Sequence, residues 1–268
     1  MPPFTFDFTL KKPNMKYVPE QENNIARAVK STGNICPYPI PTVDEIIKDI
    51  DTLGYSVDTQ TFMSDMFECG ALAISNLTDF NNYAKREKRY KEIMKAYKPN
   101  EQKAISEIFA KIFALLSSVV YDNGVFADYL GDIFMRTKQG NSKRGQFFTP
   151  YNVSKMCAEM IITDPTEKQT KDEIITINDP CCGSGGMLIA SLDVLQNNYN
   201  INYTRNCFID CGDIDARCVH MAYLQLSLAG VPAIIKHQDT LSRQLWDVWK
   251  TPAFIFQYRR FRKFESLI

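Results

Sequence analysis

The sequence predicts an α/β protein: a mainly helical N-terminal domain with an extended arm over residues 1–140, then a doubly wound domain on a parallel sheet over 141–268. Three observations predict it. Apolar residues recur at helical spacing from Thr42 to about Met135. A basic stretch at 137–145, containing Lys138, Lys143 and Arg144 among Gly and Ser, then marks a linker. Beyond it, short β-branched runs alternate with helical stretches of 10 to 15 residues, and right-handed crossovers turn that alternation into a parallel sheet.

The elements follow in order. Prolines at 2, 3, 13, 19, 37, 39 and 41 make the beginning an extended arm around one short helix at 22–31. Thr42 and Glu45 form a capping box ahead of Ile46, Ile47 and Ile50. Residues 58–77 continue as helix. Residues 85–103 hold eight basic and three acidic side chains, a positive stripe that reads first as a solvated helix face. Ile105, Ile108, Phe109, Ile112, Leu116 and Val119 give a core helix that ends at Asp122-Asn123-Gly124, and 126–135 is one more amphipathic helix. The predicted strands are 174–177, 207–209, 233–235 and 253–256, with helices at 187–199 and 215–229 between them.

Composition narrows the class. Hydrophobic types make up 45% and charged types 23% of 268 residues, the balance of a globular protein with a sizeable core. Lys plus Arg equals Asp plus Glu at 31 each, so any basic surface is local. The longest uncharged apolar stretch, 112–121, is half of what a membrane span needs, and the first twelve residues lack the pattern of a secretory signal. A cytoplasmic protein with no membrane partner is expected. Eight cysteines without a C-x-x-C pair, and two histidines without ligand spacing to them, read as free thiols, with no metal site.

The chemistry centres on Asp179-Pro180-Cys181-Cys182-Gly183-Ser184-Gly185-Gly186, between the first strand and its helix. Glycines there let the backbone approach a ligand, and the helix N-terminus offers free N–H groups. Met187-Leu188 after the glycines excludes a phosphate-cradling Gly-Lys-Ser/Thr loop, and Leu188 stands where a dinucleotide fingerprint needs a small residue. Asp213, 27 residues past Gly186 and just after the second strand, is placed to accept both ribose hydroxyls of a nucleoside. Asp215, directly before Ala216-Arg217, suits a helix N-cap. Asp239, ending the third strand, is placed to meet an adenine amino group, or is a strand-end loop acid.

Gly145-Gln146-Phe147-Phe148-Thr149-Pro150, the Asp179–Gly186 turn and Gly212-Asp213-Ile214-Asp215 resemble, in order, the motifs of S-adenosylmethionine-dependent DNA adenine-N6 methyltransferases. The likeness is nearest to the modification subunit of type I restriction systems, whose helix before Gly-x-Phe-Phe-Thr-Pro resembles Asp128-Tyr129-Leu130-Gly131-Asp132-Ile133-Phe134. The resemblance runs from about 126 to 256. It implies a Rossmann-like methyltransferase domain, C-terminally incomplete because only four strands are countable. It also implies S-adenosylmethionine as cofactor, and DNA as partner with specificity or other restriction-modification subunits. By this likeness Phe148, Thr149 and Pro150 border the methionine end, and Asp179 and Pro180 with Gly183 and Gly185 hold the amino acid moiety. Asp213 takes the ribose, Ile214 flanks the adenine and Asp239 meets its amino group.

The family's catalytic motif, Asn or Asp followed by Pro-Pro and an aromatic, is replaced by Thr251-Pro252-Ala253-Phe254. On this expectation Thr251, Pro252 and Phe254 form a degenerate catalytic site. A threonine hydroxyl in place of the carboxamide costs on the order of 2–4 kcal/mol of transition-state stabilisation. Two expectations stay open: a methyltransferase of weak or no activity, and an inactive module that binds the cofactor and DNA or a partner. The tail at 254–264 interleaves Phe254, Phe256, Tyr258, Phe261 and Phe264 with Arg259, Arg260, Arg262 and Lys263. It reads as a cap on an open sheet edge or a partner-docking segment, and alternatively as a surface for single-stranded or distorted nucleic acid.

Overall fold

The computed structural model describes residues 40–53, 58–121, 125–137, 147–166 and 173–267, without the side chains of 119–121. The predicted arm, its short helix and most of the linker lie outside these residues. The described residues belong to one compact unit, 38–268.

The first layer is helical: α1 (Val43–Leu53), α2 (Thr59–Asn76), α3 (Tyr83–Lys95), α4 (Pro99–Tyr121) and α5 (Tyr129–Arg136). Its starts are set locally. Thr42 and Glu45 form the predicted box, Glu45 Oε2 accepting from Thr42 N at 2.8 Å and Thr42 Oγ1 from Glu45 N at 3.2 Å. Asp58 caps α2 by accepting from Thr61 N. The basic stripe falls on α3 and the start of α4, where it is largely neutralised. Arg89 pairs with Glu68, Lys91 with Glu87, Lys88 with Glu92 and Lys103 with Glu107.

Beyond α6 (Tyr151–Ile161) the sheet begins. Its strands are β1 (Ile175–Asp179), β2 (Cys207–Asp213), β3 (Ala233–Asp239) and β4 (Gln244–Lys250), in that spatial order. β1, β2 and β3 are parallel, with Ile177 beside Ile209 and Ile209 beside Ala233. The crossovers run through α7 (Gly186–Asp193), which continues as a π turn, the short α8 (Tyr203–Asn206), and α9 (Ala216–Leu228). Both crossovers step the same way along the sheet, so right-handedness puts α7 and α9 on one face. There α9 is buried from Cys218 to Ser227, because α2 and α4 cover its outer side. One apolar cluster therefore runs from Ile46 and Phe67 through Leu224 to Ile209 and Trp249.

Two expectations are corrected. Residues 253–256 are not a strand but α10 (Pro252–Phe256), because Thr251 caps it through Phe254 N and proline occupies the first turn. The fourth strand comes earlier, in Gln244-Leu-Trp-Asp-Val-Trp-Lys250, and is antiparallel to β3, with Ile235 beside Trp249 and a bulge at His237/Gln238. After α10 the tail forms α11 (Tyr258–Phe261) and a 3-10 turn, Arg262–Leu267. It caps the other sheet face: Phe254 and Phe261 are buried with Phe208 and Ile234, and Phe264 stacks on Phe208 at 4.1 Å.

Candidate functional site at the ends of the parallel strands

The glycine turn leaves β1 at Asp179 and enters α7 at Gly186. Gly183 (φ 56°) and Gly185 (φ 94°) sit in left-handed backbone, which explains glycine at both. Cys182 N donates to Gly212 O at 2.9 Å, tying the turn to β2. Gly183 N then donates to Asp213 Oδ2 at 2.9 Å, while Asp213 Oδ1 accepts from Asp215 N at 2.8 Å. The turn and the strand-end carboxylate are thus in direct contact. Each oxygen of Asp213 keeps a second lone-pair direction, so the pair of them can still accept a diol.

Around this contact stand the other predicted residues. Asp179 Oδ1 accepts from Cys181 N at 3.1 Å. Burial raises its carboxyl above the ordinary range, and the negative charge of Asp213 adds to that. A Cβ on Gly183 would lie 3.2 Å from the Phe148 ring, so the glycine leaves room for the aromatic over the turn. Thr149 and Pro150 are exposed just before α6. Pro180 O accepts from Thr240 Oγ1 at 2.7 Å, closing the turn against the loop after β3. Ile214 is 62% exposed and its carbonyl lies 3.2 Å from His237 Nε2, with Trp246 at 4.7 Å from the His237 ring. Asp215 is the N-cap of α9, accepting from Arg217 N.

Asp239 ends β3 on the same side, but its carboxylate is held by Leu241 N at 2.9 Å and Ser242 N at 3.3 Å. Hydrogen bonds from Ser242 and Leu241 keep it below the usual range. This is the geometry of a strand-end loop acid.

The structure does not bring Thr251, Pro252 and Phe254 beside the glycine turn. Because β4 is antiparallel, its end lies beside the beginning of β3, where Thr251 N donates to Ala233 O at 3.1 Å. The length of β3 separates that end from the glycine turn, about 20 Å at the rise of a strand. Thr251 and Phe254 are fully buried. The Thr251 hydroxyl accepts from Ala233 N at 2.9 Å and donates to Val231 O at 2.8 Å, a structural role.

Sequence reasoning missed the support beneath the turn. Asp128, N-cap of α5, is 7% exposed and accepts from Gly131 N, Ser184 Oγ and Gln225 Nε2. Gln225 Nε2 also donates to Ser184 O at 2.7 Å. One buried carboxylate therefore fixes α5, the glycine turn and α9 together, and burial raises its pKa. A capping acid three residues before Gly131 was a local signal; nothing local announced a partner 97 residues away.

A glycine turn on one parallel strand, bonded to an acid ending the next, defines the class: a Rossmann-like α/β domain. The model of the N-6 DNA Methylase family matches residues 125–260, just over half of the chain. The chain belongs to that family. Two solved structures are similar in fold. One is a putative class I S-adenosylmethionine-dependent methyltransferase from Listeria monocytogenes, at 15% identity and TM-score 0.43, covering 76% of this chain and 55% of that one. The other is the methyltransferase subunit of a type I restriction-modification system from Streptococcus thermophilus, at 16% identity and TM-score 0.39, covering 84% of this chain and 44% of that one. The chain spans about half the length of these structures. No match was found among curated proteins.

Proposed function

We propose that the chain binds S-adenosylmethionine between the glycine turn and Asp213 and serves DNA adenine-N6 methylation of the restriction-modification kind, in the cytoplasm and alongside specificity or other subunits. The hydrogen bond between Gly183 N and Asp213 Oδ2 carries this reading, because it places an acceptor for ribose hydroxyls beside a backbone cradle. The donor set fits the cofactor: open lone pairs on Asp213, an exposed apolar Ile214 for a purine face, and the Phe148 ring packed over Gly183 beside them. The cofactor supplies a methyl group on a positive sulfonium, which an adenine amine can attack directly. Asp213 and Asp179 orient the nucleoside and amino acid ends. Phe148 shields the turn from water on one side.

A second reading, a cofactor-binding module without catalysis, is favoured by the burial of Thr251 and Phe254 at the far end of the sheet. No helix among the described residues is long and apolar enough to cross a membrane. Calorimetric titration with S-adenosylmethionine tests the common claim. Asp213→Ala should weaken binding by about tenfold or more, the loss of hydrogen bonds to a charged acceptor. Equal binding by both proteins rejects the site. Incubation with methyl-labelled cofactor and adenine-containing DNA then separates the readings, since label on the DNA excludes the inactive module.

A further inference from the structure

The capping of the sheet by the tail leaves a second question, because only half of the tail's side chains face inward. Phe254, Phe261 and Phe264 pack on Phe208, whereas Phe256 is 76% and Tyr258 43% exposed. Phe256 and Tyr258 line an open groove of about 620 Å3 together with Arg205, Gln257, Arg259 and Arg260. The groove is assembled from two segments: Gln257 Nε2 donates to Thr204 O at 3.0 Å and Arg260 Nε to Arg205 O at 3.1 Å. Arg262 and Lys263 extend the cationic surface by one turn.

Charge decides what this groove fits. The nearby acid Glu265 is already engaged by Lys250 Nζ and Tyr258 Oη. Among the described residues, Arg205, Arg259, Arg262 and Lys263 have no carboxylate partner. Uncompensated guanidinium groups beside an exposed aromatic ring match a polyanion whose repeating units also carry flat faces. The surface lies where β2 begins, whereas the glycine turn lies where β2 ends, about 20 Å away at the rise of a strand. A ligand seated here is therefore not the group that meets the cofactor.

We propose that this groove binds single-stranded nucleic acid, with Arg205, Arg259 and Arg262 on phosphates and Phe256 stacked under a base. The claim is independent of the cofactor site. Fluorescence anisotropy of a labelled oligothymidylate of about 20 nucleotides, titrated with the full chain, tests it. The wild-type chain should bind, more tightly than it binds a duplex, and lose affinity steeply between about 50 and 200 mM salt. Arg259→Glu with Arg262→Glu should weaken binding about tenfold or more and flatten the salt dependence. Phe256→Ala should weaken it about fivefold or more while leaving the salt slope in place. Both variants change exposed residues, and an unaltered circular dichroism spectrum and melting curve show that they fold. Unchanged affinity in the charge-reversal variant, indifference to Phe256→Ala, or equal competition by polyglutamate overturns the proposal. The cofactor titration reads the other site, so the failure of either claim is recognised separately.

Discussion

His220 is held on α9 with its ring edge-on to Trp249 at 5.1 Å, and its Nδ1 has no hydrogen-bond partner among the described residues. Burial pushes its pKa down to about 4, with Glu68 partly opposing. The folded state thus resists a proton that the unfolded chain accepts near pH 6.5. The associated stability is present above that pH and drains away as pH falls toward 4. Integrated over the shift, the loss between pH 7 and pH 5 is about 2 kcal/mol. Urea unfolding at the two pH values should show it, and His220→Phe should remove most of the difference. Individual roles were unevenly legible at this scale. Asp213 and Gly183, which the structure joins by a hydrogen bond, could be singled out from position alone, because a strand-end acid and a glycine turn are local signals. Asp128 could not, because its partners Ser184 and Gln225 come from distant elements.

Among the elements, β4 and α10 show how a local rule and a tertiary contact can trade places. The apolar run 253–256 has strand composition, yet Pro252 and the Thr251 hydroxyl start a helix there, and Phe254 finds its burial against Phe208 from that helix. The true strand reads Leu245, Trp246, Asp247, Val248 and Trp249, without apolar–polar alternation. Its adjacent exposed Leu245 and Trp246 hide which face is buried. The buried Thr251 hydroxyl joins the start of β3 to the end of β4. Thr251→Val keeps the shape and removes those bonds, so it should destabilise the chain by about 1–3 kcal/mol. Cofactor affinity, measured by calorimetry, should stay within about twofold, since the residue lies across the sheet from the turn. A large loss of affinity at unchanged stability would restore Thr251 to the site.

At the scale of the molecule, one side chain binds the helical layer to the sheet. Arg86 of α3 is 3% exposed, and its guanidinium lies 4.0 Å over Trp249. It donates to Asp79 Oδ2 at 3.0 Å and to Val248 O at 2.8 Å. Arg86→Met leaves Asp79 buried without its cation, at a cost of about 3–5 kcal/mol. Calorimetric melting should fall by about 10 °C. Combining it with Asp79→Leu should return a large part of that loss; no recovery would mean that the stack on Trp249, rather than the ion pair, carries the attachment. The sequence foresaw an α/β sheet fed by parallel crossovers. It could not foresee that a residue from a basic stripe would be its buried rivet, because burial of a charge depends on what lies opposite.

The bond from Gly183 to Asp213 has a further consequence. The left-handed turn is already locked in its working shape by the strand beside it, with Asp128 bracing it from below. A nucleoside bound there, as proposed, meets Gly183 and Asp213 already joined, and little of its interaction energy is spent on ordering these two groups. On the proposed function, recognition at this edge of the sheet is accordingly lock-like, with encounter rather than rearrangement setting its speed.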